Sequence, residues 1–163
     1  MPAAPPLETL EHLLRGSHLR VTRPRMAVLG AVHARPHSDT DTILRDVRVE
    51  LGQVSHQAVY DVLRALSTAG LVRRIQPLGH LARYEARVAD NHHHAVCRGC
   101  GAITDIDCAV GEAPCLTPSP ATTDPGFVVD EAEVIYWGLC PACATSSPSR
   151  SSLPDPSQIR TTA

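Results

Sequence analysis

The 163-residue chain contains no lysine; all fifteen of its basic residues are Arg. That absence reflects codon usage as much as physics. No apolar stretch reaches the length of a membrane span, so a spanning protein is not expected. The first residues, Met1 to Pro6, have neither the basic nor the apolar region of a secretory signal. The expected compartment is therefore the cytosol. Thiols stay reduced there, so the six cysteines read as metal or redox groups rather than as a disulfide framework. A His-x-Glu motif is also missing, and in Cys140-Pro141-Ala142-Cys143 the proline follows the cysteine. Both features count against a zinc deaminase. Neither CxxC pair is expected at a helix start in a βαβ setting, which counts against a thiol oxidoreductase. The chain is not read as an enzyme, and no small-molecule substrate is expected.

What is present divides unevenly. Residues 1–88 carry twelve Arg against eight acids, a balance of +4, whereas residues 89–163 carry three Arg against nine acids, a balance of −6. An Arg-bearing first half suits a polyanion, and an acidic second half suits cations.

Leu7, Leu10, Leu13 and Leu14 recur at helical spacing over about 7–16. Thr22 is a good N-cap, with Pro24 in the first turn of a second helix that ends before Pro36. Asp39 or Thr40 caps a third helix, which Gly52 ends. Ser55 caps a fourth, with Gly70 as its stop. Residues 71–75 and 82–86 then read as strands joined by Pro77-Leu78-Gly79-His80. Short helices, a tight helix–helix turn and a hairpin predict a winged helix-turn-helix over 1–88. Residues 94–97, 102–106 and 127–137 are strand-like, and the Pro-rich 109–126 reads as a loop. The whole is expected to be α+β. A small α/β domain over 89–143 follows the winged helix, and a disordered tail over 144–163 ends the chain.

The fourth helix is the expected reading head. Gln57 can pair with an adenine edge, and Tyr60 can meet a thymine methyl or a phosphate. Arg20, Arg23, Arg25 and Arg64 are candidate phosphate contacts, and Arg83 lies on the wing. Two metal constellations follow. Cys97, Cys100, Cys140 and Cys143 form two CxxC pairs, and four thiolates suit a closed tetrahedral Zn²⁺ site. In His92-His93-His94, strand alternation puts His92 and His94 on one face. Imidazoles with the carboxylates of Glu85 and Asp105 suit Fe²⁺, Mn²⁺ or Zn²⁺.

The pattern Leu19-Arg20-Val21-Thr22-Arg23-Pro24-Arg25, Ala58-Val59-Tyr60, Ala69-Gly70-Leu71-Val72, His92 to Gly101 and Gly138 to Cys143 resembles the ferric uptake regulator family. Residues 107–116 and 130–137 resemble its actinobacterial branch, whose members are commonly redox-responsive repressors of catalase-peroxidase genes. The resemblance implies a homodimer that binds promoter DNA, with 89–143 as its dimerisation domain. It implies structural zinc on Cys97, Cys100, Cys140 and Cys143, and a regulatory Fe²⁺ or Mn²⁺ site on His37, Glu85, His92, His94 and Asp105. It implies one ligand from the hinge region, His37, and four from the second half. The positions that would complete a third metal site hold Asn91 and Ala132, leaving only His93 and Glu112. Two functions remain open: a peroxide-responsive repressor, or an iron- or zinc-uptake repressor without peroxide sensing. Asp105 is similar to the peroxide-sensing members and Glu85 to the iron-sensing ones.

Overall fold

The structure, a computed structural model, describes residues 4–77, 79–88, 90, 92–109 and 133–146. The expected loop from 110 onward, Glu112, Cys115, Asn91, Ala132, the start of the 127–137 strand and the tail from 147 lie outside the described residues.

Four helices form first: α1 Leu7–Gly16, α2 Arg23–Ala34, α3 Thr40–Leu51 and α4 His56–Thr68. Each of the last three begins directly after the residue whose side chain caps it. Thr22, Asp39 and Ser55 accept hydrogen bonds from the backbone N–H groups of Arg25, Thr42 and Ala58. The apolar face of α4, Val59, Leu63 and Leu66, packs on Val28, Leu29 and Val32 of α2 and on Ile43, Leu44 and Val47 of α3 in one buried core. Leu10 and Leu14 of α1 complete it. Full burial of such side chains contributes about 1.5–3 kcal/mol each.

A two-stranded wing follows, β1 Arg73–Ile75 against β2 Arg83–Glu85, antiparallel with Arg74 opposite Tyr84. Both strands are shorter than expected. Gly70 adopts φ +68°, and Leu71 donates its N–H to Leu66 O at 3.0 Å, closing the end of α4. Residue 71 therefore serves the helix end rather than the ladder.

The second sheet has the order β4-β3-β5, from β3 His92–Cys97, β4 Ile103–Asp107 and β5 Ile135–Gly138. β3 starts two residues earlier than the pattern suggested, so all three histidines are in strand. β4 runs antiparallel to β3, with His94 opposite Asp105. β5 runs parallel to β3, with Cys97 opposite Gly138. A short helix α5, Pro141–Ser146, then follows where a turn and tail were expected. Pro141 opens it, a position that proline suits because its missing N–H has no partner there anyway.

Candidate metal centres and nucleic-acid interface

The parallel pairing of β3 and β5 explains why the cysteines meet. Two parallel neighbours end side by side, so the Cys97/Cys100 turn and the Cys140/Cys143 turn lie together. The four sulfurs fall within 4.8 Å of one another. Cys100 Sγ and Cys140 Sγ are 3.7 Å apart. A tetrahedron with Zn–S bonds of about 2.3 Å has edges of about 3.8 Å, so the spacing fits zinc. It is far beyond a disulfide bond of about 2.05 Å. The turn is tight: Gly101 sits at φ +71° and donates to Cys97 O at 2.9 Å. The N–H of Cys140 donates to Cys97 Sγ at 3.2 Å. That bond leads the effects that lower the Cys97 thiol to about 6. Cys143 is pushed up to about 12 by the sulfurs of Cys140, Cys100 and Cys97 around it. Four thiols in one pocket cannot all ionise unaided, and a dication supplies the missing charge. Cys140 directly precedes α5, but among the described residues no strand follows that helix, so the pair does not sit in a βαβ unit. Its partners are two more cysteines, which makes metal binding the better fit.

The second cluster joins the two sheets. His37 Nε2, Glu85, His94 Nε2 and Asp105 offer one ligand atom each within 4.8 Å. His37 is held in the left-handed region at φ +59°, unusual for a residue with a side chain, by its N–H bond to Tyr84 O at 2.8 Å. Glu85 ends β2, so two of these four ligands, His37 and Glu85, belong to the winged-helix part. The expected split, with Glu85 counted in the second half, is corrected by this placement. Glu85 is fully buried. Its carboxylate lies 3.1 Å from His37 Nε2, 3.2 Å from His94 Nε2 and 3.2 Å from His92 Nε2. Burial pushes this carboxyl up, but the hydrogen bonds from His37 and His94 and the charges of His94 and His92 outweigh it, and it falls to about 2. His92 stands beside the tight group of four rather than inside it. His93 turns to the other face, where its ring meets Tyr136 at a centroid distance of 6.0 Å.

The donor set fits a cation. Asp105 Oδ1 is 2.8 Å from His37 Nε2 but buried without a properly directed hydrogen bond. His92 faces an acceptor at each ring nitrogen, Asp90 through Nδ1 at 2.9 Å and Glu85 through Nε2 at 3.2 Å. A neutral imidazole has one N–H to give. One contact therefore needs a second proton or a cation. Two carboxylates with imidazoles match the ligand preference of divalent iron, manganese or zinc.

On α4, Gln57, Tyr60 and Arg64 are exposed along one face, opposite the buried Val59 and Leu63. Gln57 is bonded to Asp61 at 3.0 Å, and Arg64 lies 3.7 Å from the same carboxylate. Asp61, which carries no motif signal in the sequence, therefore contacts both of these side chains. Arg20 and Arg23 are exposed. Arg25 Nη1 donates to Arg20 O at 2.8 Å. Arg83 is turned inward, with Nη1 3.4 Å from Asp39 Oδ2.

A winged-helix fold with a four-sulfur cluster and a nitrogen/oxygen cluster between its sheets is the architecture of a metal-dependent transcriptional regulator. The profile of the ferric uptake regulator family matches residues 16–113, and the chain belongs to that family. It is 67% identical over 138 residues to the transcriptional regulator FurA of Mycobacterium tuberculosis, covering 85% of this chain and 92% of that one. It is 61% identical over 143 residues to ferric uptake regulation protein 2 of Mycolicibacterium fortuitum, covering 86% and 95%. Among solved structures, the Helicobacter pylori regulator, with three functional metal-binding sites, aligns at TM-score 0.65 and 19% identity over 93% of this chain and 100% of that one. At that identity the likeness shows the fold. The homologues are regulators rather than enzymes. Among the described residues, no helix is long and apolar enough to cross a membrane.

Proposed function

We propose that this chain is a peroxide-responsive, metal-dependent repressor that binds promoter DNA as a homodimer in the cytosol. Its targets would be a catalase-peroxidase gene and its own gene. The single observation that carries the reading is the shared cluster. His37 and Glu85 come from the winged helix, and His94 and Asp105 come from the second sheet. Closing the cluster fixes the angle between reading head and dimerisation sheet, which lets two α4 helices address major grooves about 34 Å apart. Cys97, Cys100, Cys140 and Cys143 would hold structural Zn²⁺. His37, Glu85, His94 and Asp105, with His92 beside them, would hold Fe²⁺ or Mn²⁺.

A bound Fe²⁺ would supply the reductant through which peroxide is sensed. The chain's own residues keep the two lobes registered and place Gln57, Tyr60 and Arg64 at the base edges and phosphates, with Arg20, Arg23 and Arg25 on the backbone. Arg83 steadies the α3 cap at the root of the wing. The branch resemblance of residues 107–116 and 130–137, with Asp105, supports the redox reading, and Glu85, similar to the iron-sensing members, supports a plain iron sensor as the second reading. Footprinting on the promoter with Fe²⁺ and with Mn²⁺, before and after micromolar peroxide, separates them. The proposal expects peroxide to erase the Fe²⁺ footprint. Unchanged footprints with both metals would leave the iron-uptake reading standing.

A further inference from the structure

Arg87 follows β2 in the segment between the wing and the second sheet, outside the four-ligand cluster. Its fork reaches three carboxylates. Nε is 2.5 Å from Asp90 Oδ2, Nη2 is 2.7 Å from Asp107 Oδ1, and Nη1 is 3.6 Å from Asp105 Oδ2. Two of these carboxylates work at both ends. Asp90 turns its other oxygen to His92 Nδ1 at 2.9 Å. Asp105 turns its other oxygen to His37 Nε2 at 2.8 Å and His94 Nε2 at 3.7 Å. One guanidinium thus bonds the outer oxygen of Asp90, whose inner oxygen faces His92 beside the cluster. It also lies within ion-pair range of the outer oxygen of Asp105, whose inner oxygen faces His37 and His94.

We infer that Arg87 is a positioning residue of the metal centre, holding Asp105 directly and His92 through Asp90 in the orientations that a cation requires. The inference rests on the proposal that the cluster binds a divalent ion. Two physical effects oppose each other here. A positive charge near a cation site weakens binding, whereas fixing the ligands strengthens it. Asp90 and Asp107 lie against the guanidinium and offset its charge, and neither belongs to the four-ligand cluster. Orientation therefore wins. Without Arg87, Asp90, Asp105 and Asp107 would share a small volume with no cation between them, and mutual repulsion would swing them apart. Outer contacts of this kind typically change metal affinity about 10–100-fold.

The test uses the full chain with its zinc retained, cleared of other divalent ions by mild chelation and checked for unchanged zinc content. Mn²⁺ is titrated in, with the free ion read by electron paramagnetic resonance. Mn²⁺ is a hard ion and leaves the four sulfurs to zinc. Wild type should bind Mn²⁺ at this site, and Arg87→Ala should bind it about 10–100-fold more weakly. Arg87→Lys should recover part of the loss, because an ammonium can hold a carboxylate but cannot fork across three. Asp90→Asn should also weaken binding, and Arg87→Ala should cost less in that background, because the two changes break one relay. Should the Ala variant fail to fold, Arg87→Lys and Asp90→Asn carry the test, and wild-type affinity in both would overturn the inference. Wild-type affinity in Arg87→Ala, or strictly additive losses in the cycle, would also overturn it. If wild type itself took up no Mn²⁺ while keeping its zinc, the reading of the cluster would fail, and this inference with it.

Discussion

Glu85→Gln is the most informative single change in the shared cluster, because the size of its effect follows from the geometry. The carboxylate is fully buried and faces the Nε2 atoms of His37, His92 and His94 at 3.1–3.2 Å. These contacts hold it at about 2, against an ordinary value of 4.5. A carboxyl that is more acidic in the folded state than in the unfolded state stabilises the fold above its unfolded value, and the contribution is lost as pH falls through the folded value. The gap corresponds to about 3 kcal/mol at neutral pH. Gln keeps the shape and loses the charge, so the variant should be less stable by about that amount at pH 7. The difference should shrink as pH falls below the unfolded value of about 4.5, and it should vanish below about pH 2. The assay is urea unfolding followed by far-ultraviolet circular dichroism, on protein whose nitrogen/oxygen site has been cleared of metal. Zinc loss in acid affects both proteins alike and drops out of the difference. Equal stability at pH 7, or a difference that grows as pH falls, would refute the reasoning.

Three other changes probe separate parts of the molecule. Cys140→Ser should abolish zinc retention and unfold the second sheet, since a structural zinc site contributes on the order of 10 kcal/mol; one zinc per chain by elemental analysis in this variant would contradict a four-sulfur clamp. Gly101→Ala should destabilise the fold by about 1–3 kcal/mol, because position 101 needs φ +71° and an added Cβ would lie 2.8 Å from His80 Nδ1; an unshifted thermal melt would show that the turn can relax. Arg64→Ala should weaken binding to all DNA sequences alike and lower the salt dependence of binding by about one ion; a loss confined to the operator would make Arg64 a base reader instead.

The four helices were legible because their signals are local. Thr22, Asp39 and Ser55 cap the helices they precede, and Gly52 and Gly70 take the positive φ that ends them. The sulfur quartet was legible because CxxC spacing is itself a turn geometry. The less legible features depend on distant partners. Nothing near residue 135 reveals that β5 pairs parallel to β3, and that pairing is what brings the cysteine turns together. The hidden helix α5 is short, and its Pro141 reads equally well as a turn. Glu85 was legible as a wing residue, at the end of the strand whose partner is β1, but the ligand count put it with the second half because only the fold shows the wing end meeting His94 and Asp105. Arg87 and Asp61 were passed over because single charges carry no spacing signal, and their meaning comes only from the carboxylates and side chains that the fold delivers to them.

The most direct test removes the ion from the nitrogen/oxygen cluster while leaving zinc on the sulfurs, then measures promoter affinity and small-angle X-ray scattering on the same sample. The account predicts that promoter binding is lost, that the scattering profile changes as the lobes lose register, and that added Mn²⁺ restores both. Unchanged affinity and an unchanged profile after verified removal would contradict it.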